Sequence, residues 1–137
     1  MYEVFEHTAD LGLRVRAATV SELFAEAARG LFSILVVDLA SIRPNVEKTI
    51  ELTADDFEYL LFDWLNELLF LFETQHLLFG DFEVTIENGH LRAVCRGEPV
   101  DRKLHHLEHE VKAITYHGLV CRQESAGEWI AEVIVDI

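Results

Sequence analysis

The sequence predicts an α+β domain of two layers, with a mainly antiparallel or mixed sheet packed against two main helices. Three observations carry this. Apolar and polar residues alternate over several short runs, the period of a half-buried strand. Apolar residues recur every three to four positions over two long runs, the period of a helix. Asn88-Gly89 separates two alternating runs, the strongest short-range sign of a hairpin.

In chain order, Tyr2 to Glu6 reads as a strand and His7-Thr8-Ala9-Asp10 as its connection. Leu11, Leu13, Val15 and Ala17 then alternate with Gly12, Arg14 and Arg16 as a second strand. Thr19 and Glu22 form a T-x-x-E capping box ahead of Val20, Leu23, Phe24, Ala27, Ala28, Leu31, Ile34 and Leu35, a helix of about four turns. Arg43-Pro44-Asn45 breaks the chain, and Val46 to Leu52 alternates again. Thr53, Asp55 and Asp56 supply the cap and acidic first turn of a second helix that runs to about Glu73. Its apolar residues, from Phe57 through Trp64 to Phe72, cover most of the circumference and leave only a strip of Tyr59, Asp63, Asn66 and Glu67, so it is expected to be largely buried.

Leu78 to Glu87 and His90 to Glu98 are the arms of the hairpin. Pro99 to Glu110 is a polar, His-rich connection expected in solvent, Ile114 to Arg122 reads as extended, and Ser125-Ala126-Gly127 as a turn. Glu128 to Ile137 alternates, with Trp129, Ala131, Val133, Val135 and Ile137 on one face and Ile130, Glu132, Ile134 and Asp136 on the other. No repeat, linker or composition shift divides residues 1–137, which read as one domain.

Half of the 137 residues are hydrophobic, with only seven Gly and two Pro, which excludes disorder and low-complexity sequence. The formal charge is −14, and protonating all seven His leaves −7. Sequence-independent nucleic-acid binding draws its affinity from cations that neutralise phosphates, so the expected partners are basic proteins, cations or small molecules. Cys95 and Cys121 form no CxxC pair, and a reducing cytoplasm is the expected location. The start of the chain has no basic segment followed by an apolar run of signal length, and no membrane span is expected.

No P-loop, GxGxxG, HExxH, GxSxG or EF-hand loop is present. Two polar features stand out against their apolar surroundings: Asp10 in the connection between two strands, and Asp136-Ile137 at the end of a hydrophobic strand. In the plain reading Asp10 accepts backbone N–H bonds in its turn and Asp136 is a residue near solvent. In the sharper reading the two carboxylates and the Ile137 terminal carboxylate converge as an oxygen site for calcium, magnesium or manganese. Period counting leaves both open, because it does not fix which strand lies beside which. A rival constellation is His105, His106 and His109 with Glu108, Glu110 and His117, a zinc site lacking a third ligand at recognisable spacing.

Tyr2-Glu3 with Glu6-His7-Thr8-Ala9-Asp10, Leu23-Phe24 with Ala27-Ala28 and Gly30-Leu31-Phe32, Leu60-Leu61 with Trp64 to Leu69, Gly97-Glu98, Val111-Lys112-Ala113 with Thr115-Tyr116-His117, and Val135-Asp136-Ile137 stand in the order of one known family. Over essentially its whole length the chain resembles the archeases. The resemblance implies a non-enzymatic accessory protein that promotes guanylylation and turnover of a GTP-dependent RtcB-type RNA ligase in tRNA splicing and RNA repair. It also implies a divalent-ion site on Asp10, Asp136 and Ile137. It assigns no role to His7, Asp63 or Lys112; in the plain reading Asp63 and Glu67 cap a buried helix face and Lys112 pairs with a neighbouring acid. Two readings from other classes stand beside it: a metal-dependent hydrolase using Asp10 and Asp136 with a histidine as proton shuttle, and a metal-independent chaperone or adaptor. From the charge alone, an anisotropy titration of tRNA with this chain at physiological salt is expected to show binding far weaker than that of a basic RNA-binding domain. Tight binding would place its action on RNA.

Overall fold

The structure, a computed structural model, describes residues 1–137. Strands β1 (Tyr2–His7) and β2 (Asp10–Ala17) precede helix α1 (Val20–Leu35) and a 3-10 turn at Leu39–Ser41. Then come β3 (Val46–Thr53), α2 (Phe57–Gln75), β4 (Leu77–Glu87), β5 (His90–Pro99), β6 (Ala113–Ile114), β7 (Val120–Gln123) and β8 (Trp129–Asp136). The α+β class and the antiparallel pairing are as the sequence predicts. The strands divide into two sheets, however: β1-β2-β8-β6 with β7 also on β8, and β3-β5-β4.

The helices join the two sheets. Helix α1 packs on β2 of the larger sheet and β4 of the smaller, and α2 packs on β3, β4, β6 and β7. Contact on two sides explains why ten of the sixteen residues of α1 are buried, including Ala25 and Phe32, which lie off a single stripe. Thr19 caps α1 by accepting from the Glu22 N–H at 3.2 Å. Trp64 of α2 is fully buried and its indole N–H donates to the Phe24 carbonyl at 2.9 Å, so the largest core side chain satisfies its one polar atom while tying the helices together. Phe32, Phe79 and Phe82 stack beside it.

Four details differ from the sequence reading. The cap of α2 is Asp56, which accepts from the Tyr59 N–H at 2.8 Å, whereas Thr53 still belongs to β3. The extended segment 114–122 is two strands laid end to end along β8, interrupted by a turn at 116–119. The 3-10 turn at Leu39–Ser41 has no helical period and was not expected. Phe70 of α2 is apolar yet 54% exposed. The hairpin is as read: Asn88 (φ 50) and Gly89 (φ 74) take the left-handed conformations of a tight I′ turn.

Gly97 is fixed by close approach. Between Phe79 and Asp81 the β4–β5 register shifts, and the β4 backbone there crowds Gly97 until a Cβ would sit 1.7 Å from the Leu78 carbonyl oxygen. At Gly80 a Cβ would meet Ile42 at an ordinary 3.4 Å. Gly97→Ala is therefore expected to cost about 2–3 kcal/mol in chemical denaturation and Gly80→Ala clearly less; the reverse order would refute the close approach.

Candidate functional site

The β1–β2 connection is the two-residue turn Thr8-Ala9, with Thr8 at φ 54. A β-branched residue holds that conformation at a cost on the order of 1–3 kcal/mol, so the surrounding pairing must enforce it. The pairing places His7 opposite Asp10. On the other side β2 pairs β8 with Leu11 opposite Val135, and the next step of that register sets Asp10 beside Asp136. Asp136 in turn pairs with Ala113 of β6. His7, Asp10, Asp136 and Ala113 thus form the last row across four strands.

Strand alternation decides which way the row faces. Leu11, Leu13, Val15, Ala131, Val133 and Val135 are buried in the core, so Asp10 and Asp136 lie on the outer face with Arg14, Arg16 and Glu132. Farther along that face charge is neutralised across strands: Arg14 bonds Glu3 at 3.0 Å and Glu132 at 3.2 Å, its guanidinium 4.4 Å from the centre of the Phe5 ring. The last row has no such cation. Neither Asp10 nor Asp136, both half-buried, takes part in any side-chain hydrogen bond or salt bridge. Arg14, four positions along β2, is about 13 Å away at 3.4 Å per residue, beyond effective pairing in salt water. Cross-strand neighbours have Cβ atoms roughly 5 Å apart, so this register puts the two residues within reach of a common ligand. The turn reading of Asp10, as an acceptor of backbone N–H bonds, is not what the structure shows. The same row holds His7 Nδ1, the single buried side-chain nitrogen or oxygen in the chain without a hydrogen-bond partner.

The histidine constellation comes apart. No group of three or more His, Cys, Asp or Glu side chains is placed to hold a metal ion, either among these histidines or at His7, Asp10 and Asp136. The polar connection is not uniformly solvated either, since His105 is only 2% exposed. Its Nδ1 accepts from the Asp101 N–H at 2.9 Å, which puts the proton on Nε2, and Nε2 donates to Glu98 at 2.9 Å. Glu98, also buried, accepts further from the Arg43 N–H at 2.8 Å and the Arg43 Nε at 2.9 Å. Burial pushes the Glu98 carboxyl up, but the Arg43 backbone N–H, His105 and the Arg43 guanidinium outweigh it and hold it below the usual carboxylate range. His106 and His117 are exposed.

Beside the carboxylate row, the Lys112 N–H donates to the Asp136 carbonyl at 2.7 Å. The Lys112 ammonium makes no ion pair, contrary to the plain reading; with Asp63, Asn66, Glu67, Phe70 and Glu73 it lines a groove of about 500 Å³. Asp63 and Glu67 therefore face a groove instead of merely capping the helix. Nearby, Tyr116 packs on Tyr59 and Phe62 with ring centres 5.1 and 5.3 Å apart, an aromatic patch that sequence reasoning missed because residue 116 comes from a distant turn. Cys95 and Cys121 are buried, and chiefly that burial pushes both thiols up to about 12, so neither is a thiolate nucleophile.

The model of the archease protein family (MTH1598/TM1083) matches residues 2–137. The chain belongs to the archease family. Proteins named archease are 44% identical in Methanopyrus kandleri, over 99% of this chain and 99% of that protein, and 40% identical in Pyrococcus furiosus, over 99% and 98%. The solution structure of protein 1598 of Methanobacterium thermoautotrophicum superposes with a TM-score of 0.86 at 34% identity, over 99% of this chain and 98% of that one. The crystal structure of a Thermotoga maritima archease, described as a possible chaperone, shares the fold with a TM-score of 0.68 at 22% identity, over 100% and 98%. In this archease no helix is long and apolar enough to cross a membrane.

The Glu98 cluster makes stability depend on pH. With the folded carboxyl held below its unfolded value, the unfolded chain binds more protons in the window between them. The stabilisation is complete above the ordinary glutamate range, near pH 4.5, and is lost as pH falls through the folded value. Urea midpoints measured from neutral pH downward are expected to fall less steeply through that window in Glu98→Gln than in the parent. At neutral pH Glu98→Ala is expected to cost about 2–3 kcal/mol, below the range for fully buried pairs because the Arg43 side chain is 57% exposed.

Proposed function

We propose that this archease is a metal-binding accessory protein that activates a GTP-dependent RtcB-type RNA ligase in the cytoplasm, promoting its guanylylation and turnover in tRNA splicing and RNA repair. The observation that carries the reading is the pair of carboxylates, Asp10 and Asp136, set side by side on the outer face with no cation of their own. The link to a ligase is what the resemblance implies, and it is part of the proposal. The donor set that the resemblance implies, the Asp10 and Asp136 carboxylates with that of Ile137, is all oxygen and so of the kind that suits a hard divalent ion such as calcium, magnesium or manganese. A bound ion would supply the positive charge that the row lacks and polarise a phosphate brought to it.

The chain's own residues do the rest. The β2–β8 register holds the carboxylates together, the outer face leaves them open to a partner, and a net charge of −14 draws the protein to a cationic cleft while repelling free RNA. A metal-dependent hydrolase would use the same row, with His7 opposite Asp10 as the proton shuttle, so turnover by the chain alone is what separates that reading from the accessory role.

Asp10→Ala and Asp136→Ala are each expected to weaken calorimetric binding of manganese at least about tenfold, to remove stimulation of ligase guanylylation at limiting metal, and to leave metal-free thermal unfolding close to that of the parent, since both side chains lie on the outer face and not in the core. A carboxyl-terminal tag, which turns the Ile137 carboxylate into an amide, is expected to cost about five-fold in affinity where an amino-terminal tag costs nothing. Full stimulation by either Asp variant would overturn the site; metal-dependent turnover of a phosphoester by the chain alone would favour the hydrolase.

A further inference from the structure

Positive charge is scarce in this protein, and most of it is spent. Of eleven Lys and Arg, six are in ion pairs: Arg14, Arg16, Arg29, Arg43, Arg96 and Arg122. Of the five others, Arg102 and Lys103 are consecutive in an exposed turn, and together with Arg43 and His76 they line one groove of about 1200 Å³. That exceeds the roughly 300–1,000 Å³ of ordinary small-molecule pockets.

The turn that carries them is fixed from beneath. His105 N–H donates to the Asp101 carbonyl at 2.7 Å, the His105 ring accepts the Asp101 N–H, and Asp101 Oδ1 accepts the Lys103 N–H at 2.9 Å. The same ring holds Glu98, which holds the Arg43 backbone and side chain. Buried ionic clusters seldom add net stability over apolar packing, and their best-attested use is to fix a geometry. Here the geometry fixed is that of the Arg43 segment and the 101–105 turn, two distant stretches of chain that line one groove. The acids nearby are occupied: Glu98 by Arg43 and His105, and Asp101 by its own turn. The apolar part of the lining is Phe72, Val100 and Leu107.

We propose that this groove binds the di- or triphosphate group of a small phosphorylated molecule, with Arg102 and Lys103 on the phosphates beside the Glu98-paired Arg43, and with Phe72, Val100 and Leu107 against an attached nucleoside. Arginine and lysine together suit this class, the guanidinium forks binding oxygens in pairs and the ammonium acting as a point charge. The site does not depend on the carboxylate row, and its test keeps the two apart.

In buffer containing EDTA, so that no divalent ion bridges ligand to Asp10 or Asp136, the full chain is titrated with ADP, inorganic pyrophosphate and adenosine, and followed by amide NMR shifts. ADP and pyrophosphate are expected to shift amides around residues 43, 76 and 99–107, and adenosine to act far more weakly. ADP binding tighter than pyrophosphate would assign the nucleoside to the apolar lining; equal binding would make the ligand a free polyphosphate on the same cations. Arg102→Ala with Lys103→Ala, both exposed and outside the fold's hydrogen bonds by side chain, is expected to weaken binding about tenfold or more with unchanged thermal unfolding. Asp10→Ala is expected to bind ADP as the parent does. No shift at millimolar ligand, equal binding by the double variant, or a short 5′-phosphorylated RNA binding more tightly than ADP would each overturn the proposal.

Discussion

The antiparallel register of β2 on β8 is the constraint on which the rest of the molecule hangs. It puts Leu11, Leu13 and Val15 beside Val135, Val133 and Ala131, building the floor on which α1 lies. It makes β8 the strand through which β6 and β7 are attached. By the same alternation it brings two carboxylates together on the opposite face. A slip of one residue would turn Asp10 into the core and Leu11 out of it, so the apolar packing that stabilises the sheet also enforces the acidic pair. The position of two acidic residues on the outer face is thereby set by hydrophobic burial on the inner one.

Element by element, much of this was legible beforehand. Thr19 and Glu22 announce α1, Asn88-Gly89 announces the β4–β5 turn, and the alternation of Trp129 to Ile137 separates the faces of β8 correctly. What period counting does not contain is adjacency. Asp10 beside Asp136 depends on the β2–β8 pairing, between residues more than a hundred positions apart, and the second sheet on the non-local pairing of β3 with β5, for neither of which a local signal exists. His105 shows a second limit. Its polar neighbours suggest solvent, yet Asp101 and Glu98 satisfy both ring nitrogens, so the imidazole is buried at little cost. The Asp56 cap shows a third: with Thr53, Asp55 and Asp56 all competent, the choice is made by where β3 stops pairing, not by side-chain preference.

Electrostatically the protein is a negative body with two exceptions to local neutrality. One is the Asp10–Asp136 row, where anions lack a cation; the other is the Arg43–Arg102–Lys103 groove, where cations exceed the anions they neutralise. A single connector, residues 100–112, runs between them. It is anchored at one end by His105 on Glu98, in its middle by bonds to the carbonyls of Ile34 and Leu35 at the end of α1, and at the other by Lys112 on Asp136. A displacement at either end would therefore be transmitted through backbone bonds to α1 before it reached the other.

The closing of the larger sheet also sets the order in which the chain can fold. Arg14 and Glu132, bonded across β2 and β8, stand 118 positions apart. Contacts of such separation form late, because the entropy of closing the loop is lost before any packing is gained. Until β8 arrives, the β1–β2 hairpin presents a bare strand edge, and an isolated two-stranded hairpin is marginal in water. The early-made half of this protein must wait, with an adhesive edge exposed, for the last-made strand. Slow folding is thus expected from the same connectivity that assembles the acidic row.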